Sequence, residues 1–204
     1  MRIFEPKAEH RGTLVWMHGL GATCDDFVPV LPMLQRPDLR VVLPQAPDRP
    51  VTINGGWVMP AWYDITSLSH GPGRNDPAHI EESRRYIEGL ALAEEVPVVL
   101  VGFSQGGAMA LHTGLAMERA LAGIVVLSAY RLEGSVVHRD NAATPIFFGH
   151  GELDEVVPIH KGREAAEALS TAGREVTWGS WPMGHEVCLE EIEALRRWLG
   201  EVLT

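Results

Sequence analysis

The sequence predicts an α/β protein, a mostly parallel sheet with helices on both faces, formed as a single domain over residues 1–204. Three observations carry that expectation. Apolar runs of strand length alternate with longer segments at helical spacing, the order that right-handed crossovers turn into a parallel sheet. A hydrophobic content of 46% with a mean hydropathy of zero is enough for a substantial core without staples. One apolar run breaks into Gly102-Phe103-Ser104-Gln105-Gly106-Gly107 just ahead of an apolar helical pattern, a strand, turn and helix in succession.

The strand candidates, in order, are Thr13–Met17, Val41–Leu43, Val96–Val101, Ile124–Leu127, Pro145–Phe148 and Val176–Trp181. Asp76 followed by Pro77 reads as the capped start of a helix running to about Glu95, with Ile80, Ile87, Leu90 and Ala91 on one face. Gln105–Met117 is apolar nearly all round, as a helix buried against a sheet is. Pro158–Ala172 and Glu186–Leu203 supply two more helices, the last with Leu189, Ile192, Leu195 and Leu199 at helical spacing. The stretch from Gln45 to Asp76 is rich in proline, glycine and aromatics and shows no sustained periodicity. It reads as a functional loop, whose Trp57, Met59, Trp62 and Tyr63 are expected to wall a pocket beside Ser104.

Composition narrows the partners. Seventeen Lys and Arg against 27 Asp and Glu give a net charge of −10, which disfavours nucleic acid and anionic membrane surfaces. The longest apolar run, Val96–Val101, is far too short to span a bilayer, and no signal-peptide pattern opens the chain. A cytoplasmic location without stable membrane insertion is the expectation. Two cysteines, Cys24 and Cys188, suggest free thiols in preference to a disulfide framework.

Gly102 and Gly106 leave room for a turn so tight that Ser104 must adopt a strained backbone conformation, presenting its hydroxyl above the C-terminal edge of the sheet. That is a nucleophile elbow. Gln105 opens the following helix, so its N–H points at the oxygen on which negative charge develops, and the helix dipole favours that charge. A serine needs a base, and nine histidines compete. Where such an elbow stands on a parallel sheet, the chain order is Ser, then acid, then His, with the His on the loop before the final helix. His185, in Pro182-Met183-Gly184-His185-Glu186, fits that place better than His138, which precedes a strand, or His160, which opens a helix. Asp154, just past the strand Pro145–Phe148, is the candidate acid that would hold the His185 tautomer. Asp140 is the runner-up, and Glu152 a near miss. His150, Glu152 and Asp154 are weak metal-ligand candidates, alternating on a loop with no further cluster. The second oxyanion donor is expected in the glycine loop after the first strand, His18-Gly19-Leu20-Gly21, at the Leu20 N–H, with His18 bracing the loop.

His18-Gly19-Leu20-Gly21-Ala22-Thr23, Pro50-Val51-Thr52-Ile53-Asn54-Gly55-Gly56, Ala61-Trp62-Tyr63-Asp64, the Ser104 elbow, His150-Gly151-x-x-Asp154-x-Val156-Val157-Pro158 and Gly184-His185-Glu186-Val187 run in order across nearly the whole chain. Together they resemble the phospholipase/carboxylesterase family, closer to its bacterial carboxylesterase branch and similar to acyl-protein thioesterases. The resemblance implies an α/β-hydrolase fold without a cap domain, Ser104, Asp154 and His185 as triad, and Leu20 and Gln105 as oxyanion donors. It also implies a small-molecule ester substrate and allows a homodimer, and the open pocket expected beside Ser104, which covers few methylenes, predicts short- to medium-chain esters as the best substrates. Acyl-protein thioesterase or lysophospholipase activity is the alternative within this class, and a non-catalytic α/β-hydrolase binding protein the alternative outside it. The implied chemistry is a two-step acyl transfer that calls for neither cofactor nor metal.

Overall fold

The computed structural model describes residues 1–67 and 74–204; His70 therefore lies outside the described residues, as do residues 68–73 of the Gln45–Asp76 stretch. In chain order the strands are β1 (Arg2–Phe4), β2 (Gly12–Met17), β3 (Leu39–Leu43), β4 (Asp48–Val51), β5 (Trp57–Pro60), β6 (Val98–Phe103), β7 (Gly123–Leu127), β8 (Ile146–Gly151) and β9 (Val176–Trp181). The helices are α1 (Pro77–Leu92), α2 (Gln105–Ala116), α3 (Ile159–Thr171) and α4 (Leu189–Val202). Seven strands form one sheet in the order β1-β3-β2-β6-β7-β8-β9, parallel throughout except for β1, which pairs antiparallel with β3 at the edge.

All six predicted strands and all four predicted helices form, with ends shifted by a few residues. Asp76 caps α1 as its sequence suggests, accepting from the Ala78 and His79 N–H groups at 2.8 and 3.1 Å. Several elements depart from the sequence reading. β1 is short and exposed, so it has no apolar run to betray it. Val28–Leu34 winds into a 3₁₀ helix with Pro29 and Pro32 inside, a composition that hides helical spacing. Within the stretch read as irregular, β4 and β5 pair as an antiparallel ribbon around a 3₁₀ turn at Thr52–Asn54.

Alternating strand residues feed two apolar layers. Val15, Leu100, Val126 and Phe148 face α1, α2 and α3, whereas Leu14, Val99, Val125 and Phe147 face α4 and the 3₁₀ helix. Helices thus cover both faces of the sheet. Glu191, in the first turn of α4, is wholly buried against Gly149 of β8, where a Cβ would collide with its carboxyl. Neither carboxyl oxygen has a hydrogen-bond partner among the described residues, and burial pushes the group up to about 8. No described helix is long and apolar enough to cross a membrane, and Cys24 and Cys188 are free thiols.

Candidate active site

The parallel strands β6, β7 and β8 all end at one edge of the sheet, and the loops that follow them meet there. Ser104, between β6 and α2, has φ 54° and ψ −120°, a left-handed conformation a serine adopts only under constraint. The constraint is steric. A Cβ on Gly102 would collide with the Gly106 carbonyl, and one on Gly106 would sit 2.5 Å from the Met17 and His18 carbonyl oxygens. The elbow glycines therefore let β6 turn into α2 directly against β2. The Ser104 N–H is anchored on the Leu127 carbonyl of β7 at 2.8 Å.

His185 reaches the serine from the loop between β9 and α4. Its Nε2 lies 2.9 Å from Ser104 Oγ and its Nδ1 2.7 Å from Asp154 Oδ2. The ring packs on Phe103, centroids 4.7 Å apart, and keeps 17% of its side-chain surface exposed. The Asp154 carboxylate is buried; its other oxygen accepts the N–H groups of Val156 and Val157 at 2.9 and 2.8 Å, which fixes the carboxylate plane. His150 stands behind it, with Nε2 2.8 Å from the Val157 carbonyl and 3.6 Å from Asp154 Oδ2. Burial lowers the His150 pKa and favours the neutral ring.

Leu20 and Gln105 line the same cavity as Ser104 and His185. Gln105 is the first residue of α2, so its N–H belongs to the turn that has no intrahelical acceptor. The Leu20 loop is braced from below. His18 Nε2 accepts the Ala46 N–H at 3.1 Å, which leaves its Nδ1–H to donate to the Gly19 carbonyl at 2.8 Å, and burial keeps the ring neutral. The Trp62 indole N–H donates to the His18 carbonyl at 2.8 Å.

The other sequence candidates lie elsewhere. Asp140 sits exposed in a 3₁₀ turn, 3.7 Å from His138, and Glu152 is exposed and accepts from the Ser180 hydroxyl at 3.1 Å. The aromatic wall needs correction. Trp62 and Tyr63 are wholly buried beneath the site, and Trp57 on the β4–β5 ribbon is 75% exposed. None of the three, nor half-buried Met59, lines the cavity beside Ser104. That cavity, of about 570 Å³, is walled instead by aliphatic and aromatic residues from separate loops: Phe27 and Val30, Ile53 and Ile65, Tyr130, Val156 and Val157, and Val187. They come from six places in the chain, so no local motif announced them.

Comparison with known proteins places this geometry. The family model described as Phospholipase/Carboxylesterase matches residues 1–203. Acyl-protein thioesterase 1 of Neurospora crassa is 37% identical over 217 residues, covering 96% of this chain and 89% of that protein. A probable carboxylesterase of Oryza sativa subsp. japonica is 31% identical, covering 94% and 78%. The crystal structure of Zea mays acyl-protein thioesterase 2 superposes with a TM-score of 0.90 at 27% identity, over 100% of this chain and 98% of that one. The fold is that of the α/β-hydrolases, with no cap domain among the described residues.

Proposed function

The chain belongs to the phospholipase/carboxylesterase family, and from that premise we propose that it is a serine carboxylesterase hydrolysing short- to medium-chain esters through an acyl-enzyme on Ser104. That it hydrolyses esters or thioesters follows from the family and its named relatives; the substrate class and the residue roles are our reading. The observation that carries it is the continuous hydrogen-bonded chain from Ser104 through His185 to Asp154, at 2.9 and 2.7 Å, set at the floor of an apolar cavity.

In this reading His185 Nε2 takes the Ser104 proton as Oγ attacks the ester carbonyl, and Asp154 stabilises the imidazolium that forms. The Leu20 and Gln105 N–H groups receive the oxyanion, a pair in which each donor is worth about 3 kcal/mol. His185 then protonates the leaving alcohol. Water, deprotonated by the same ring, attacks the acyl-enzyme, and the imidazolium passes that proton to Ser104 Oγ as the carboxylic acid leaves. Residues 1–204 act as one catalytic domain, in which the cavity admits short and medium acyl groups.

The names of the relatives favour a second reading, in which the scissile bond is a thioester. The same residues serve both bonds, because charge develops on the carbonyl oxygen in either case. A panel of 4-nitrophenyl esters and acyl thioesters of increasing length tests both: oxoester turnover peaking at short or medium length supports the carboxylesterase, and selective thioester turnover supports the alternative.

A further inference from the structure

Among the described residues lining the cavity beside Ser104, Arg74 is the only lysine or arginine. It is half-buried, and none of the ion pairs among the described residues includes it. Its Nε is buried without a partner among them. Of the other half-buried arginines, Arg36, Arg40 and Arg84 are matched by Asp38, Glu94 and Glu88, while Arg119, Arg131 and Arg174 donate to backbone carbonyls instead. A guanidinium drawn out of water with no carboxylate beside it is costly unless an anion arrives.

The surroundings are built for one. The guanidinium carbon stands 4.9 Å from the centroid of the Tyr130 ring, which holds the side chain in place. The Tyr130 hydroxyl is 2.7 Å from that of Tyr63, which is wholly buried; when Tyr63 donates, the Tyr130 proton remains to donate elsewhere. Burial raises the pKa of both phenols, so both stay neutral donors. Arg74 and Tyr130 also line a second hollow, of about 490 Å³, that shares Val156 and Val157 with the first. There Arg131 and Lys161 add positive charge beside Glu133 and Glu164, Lys161 lying 3.7 Å from Glu164. In a chain of net charge −10, Arg74 lines the same cavity as Ser104, and the described lining of that cavity also includes the carboxylates Asp26 and Glu186, neither of them within ion-pair distance of Arg74.

We propose that Arg74 and the Tyr130 hydroxyl form an anion subsite of the candidate active site, so that the substrates are carboxylic esters bearing a second, negatively charged group, a carboxylate or a phosphate, a few bonds from the scissile carbonyl. This rests on Ser104 as nucleophile and names the substrate class of that site. The guanidinium supplies paired N–H donors to the anion and a charge that neutral esters do not use.

The test compares kcat/KM for mono-4-nitrophenyl adipate with that for 4-nitrophenyl hexanoate, and for 1-butanoyl-glycerol 3-phosphate with that for 1-butanoyl-glycerol, in the wild type, Arg74→Met and Arg74→Lys. The ratio of anionic to neutral substrate falls about tenfold or more in Arg74→Met on at least one arm, is partly kept in Arg74→Lys, and declines with salt in the wild type. A fall on the adipate arm alone identifies a carboxylate, and on the glycerol arm alone a phosphate. Equal losses on charged and neutral esters, or an unchanged ratio on both arms, overturn the subsite. Failure of the wild type on every ester, charged and neutral alike, instead removes the serine reading beneath it.

Discussion

The side chain of Gln105 holds the backbone of Trp62: its Oε1 accepts the Trp62 N–H at 2.7 Å, while its Nε2 donates to the Tyr63 carbonyl at 2.8 Å. The Ser83 hydroxyl donates to the Trp62 carbonyl at 2.5 Å. Gln105, next to Ser104, is thereby tied to the loop whose Trp62 indole N–H donates to the His18 carbonyl, so Trp62 is part of the scaffold under the proposed oxyanion donors.

Trp62→Ala is therefore expected to depress turnover of acetate and hexanoate esters alike and to cost about 3–5 kcal/mol of stability, the usual range for a buried tryptophan. Chain-length profiles and urea midpoints of the variant check both. A loss confined to longer esters at unchanged stability would return Trp62 to the pocket wall.

Ile53→Ala reads the wall that the structure does show. Removing half-buried methylenes worth about 0.8 kcal/mol each lowers kcat/KM for hexanoate several-fold more than for acetate. The same profile, measured against wild type, checks this; an equal effect on both esters counts against Ile53 as an acyl contact.

Much of this arrangement was legible in the sequence where local sterics decide it. Gly102 and Gly106 are demanded by backbone carbonyls in contact, so the elbow shows in five residues, and His185 and Asp154 follow from chain order. The pocket was not legible for the opposite reason. Trp62 and Tyr63 are adjacent aromatics in a segment without periodicity, and long-range bonds to Gln105, Ser83, His18 and Tyr130 turn them inward. β4 escaped notice because Pro50 interrupts it, and a proline is tolerated there only because the two-stranded ribbon leaves both strands with a free edge.

Glu191 gives a pH dependence whose sign is fixed by its burial. Its folded pKa, about 8, stands above the ordinary carboxyl value of 4.5. The native state therefore keeps a proton that the unfolded chain releases, so this contribution to stability is whole below pH about 4.5 and is lost as pH rises toward about 8. Glu191→Gln, which mimics the protonated group, should match wild type near pH 5 and exceed it by a few kcal/mol near pH 8.5. Urea midpoints at the two pH values measure it, and parallel pH profiles for the two proteins would contradict it.

Asp154→Asn leaves the carboxylate's shape while removing the charge that holds His185 Nδ1. A fall in kcat of about 10⁴ with little change in KM is expected, against less than a twofold change for Asp140→Asn. Steady-state kinetics of the two variants decide the acid; a larger loss at Asp140 would reverse the assignment.

The most direct measurement is covalent labelling with a fluorophosphonate, followed by intact mass and peptide mapping, on wild type and Ser104→Ala. One label on Ser104 in the wild type, none in the variant, and a loss in kcat of about 10⁴ to 10⁶ at unchanged stability is the expected result. Labelling that persists in Ser104→Ala, or maps to another residue, would show that the elbow does not carry the nucleophile.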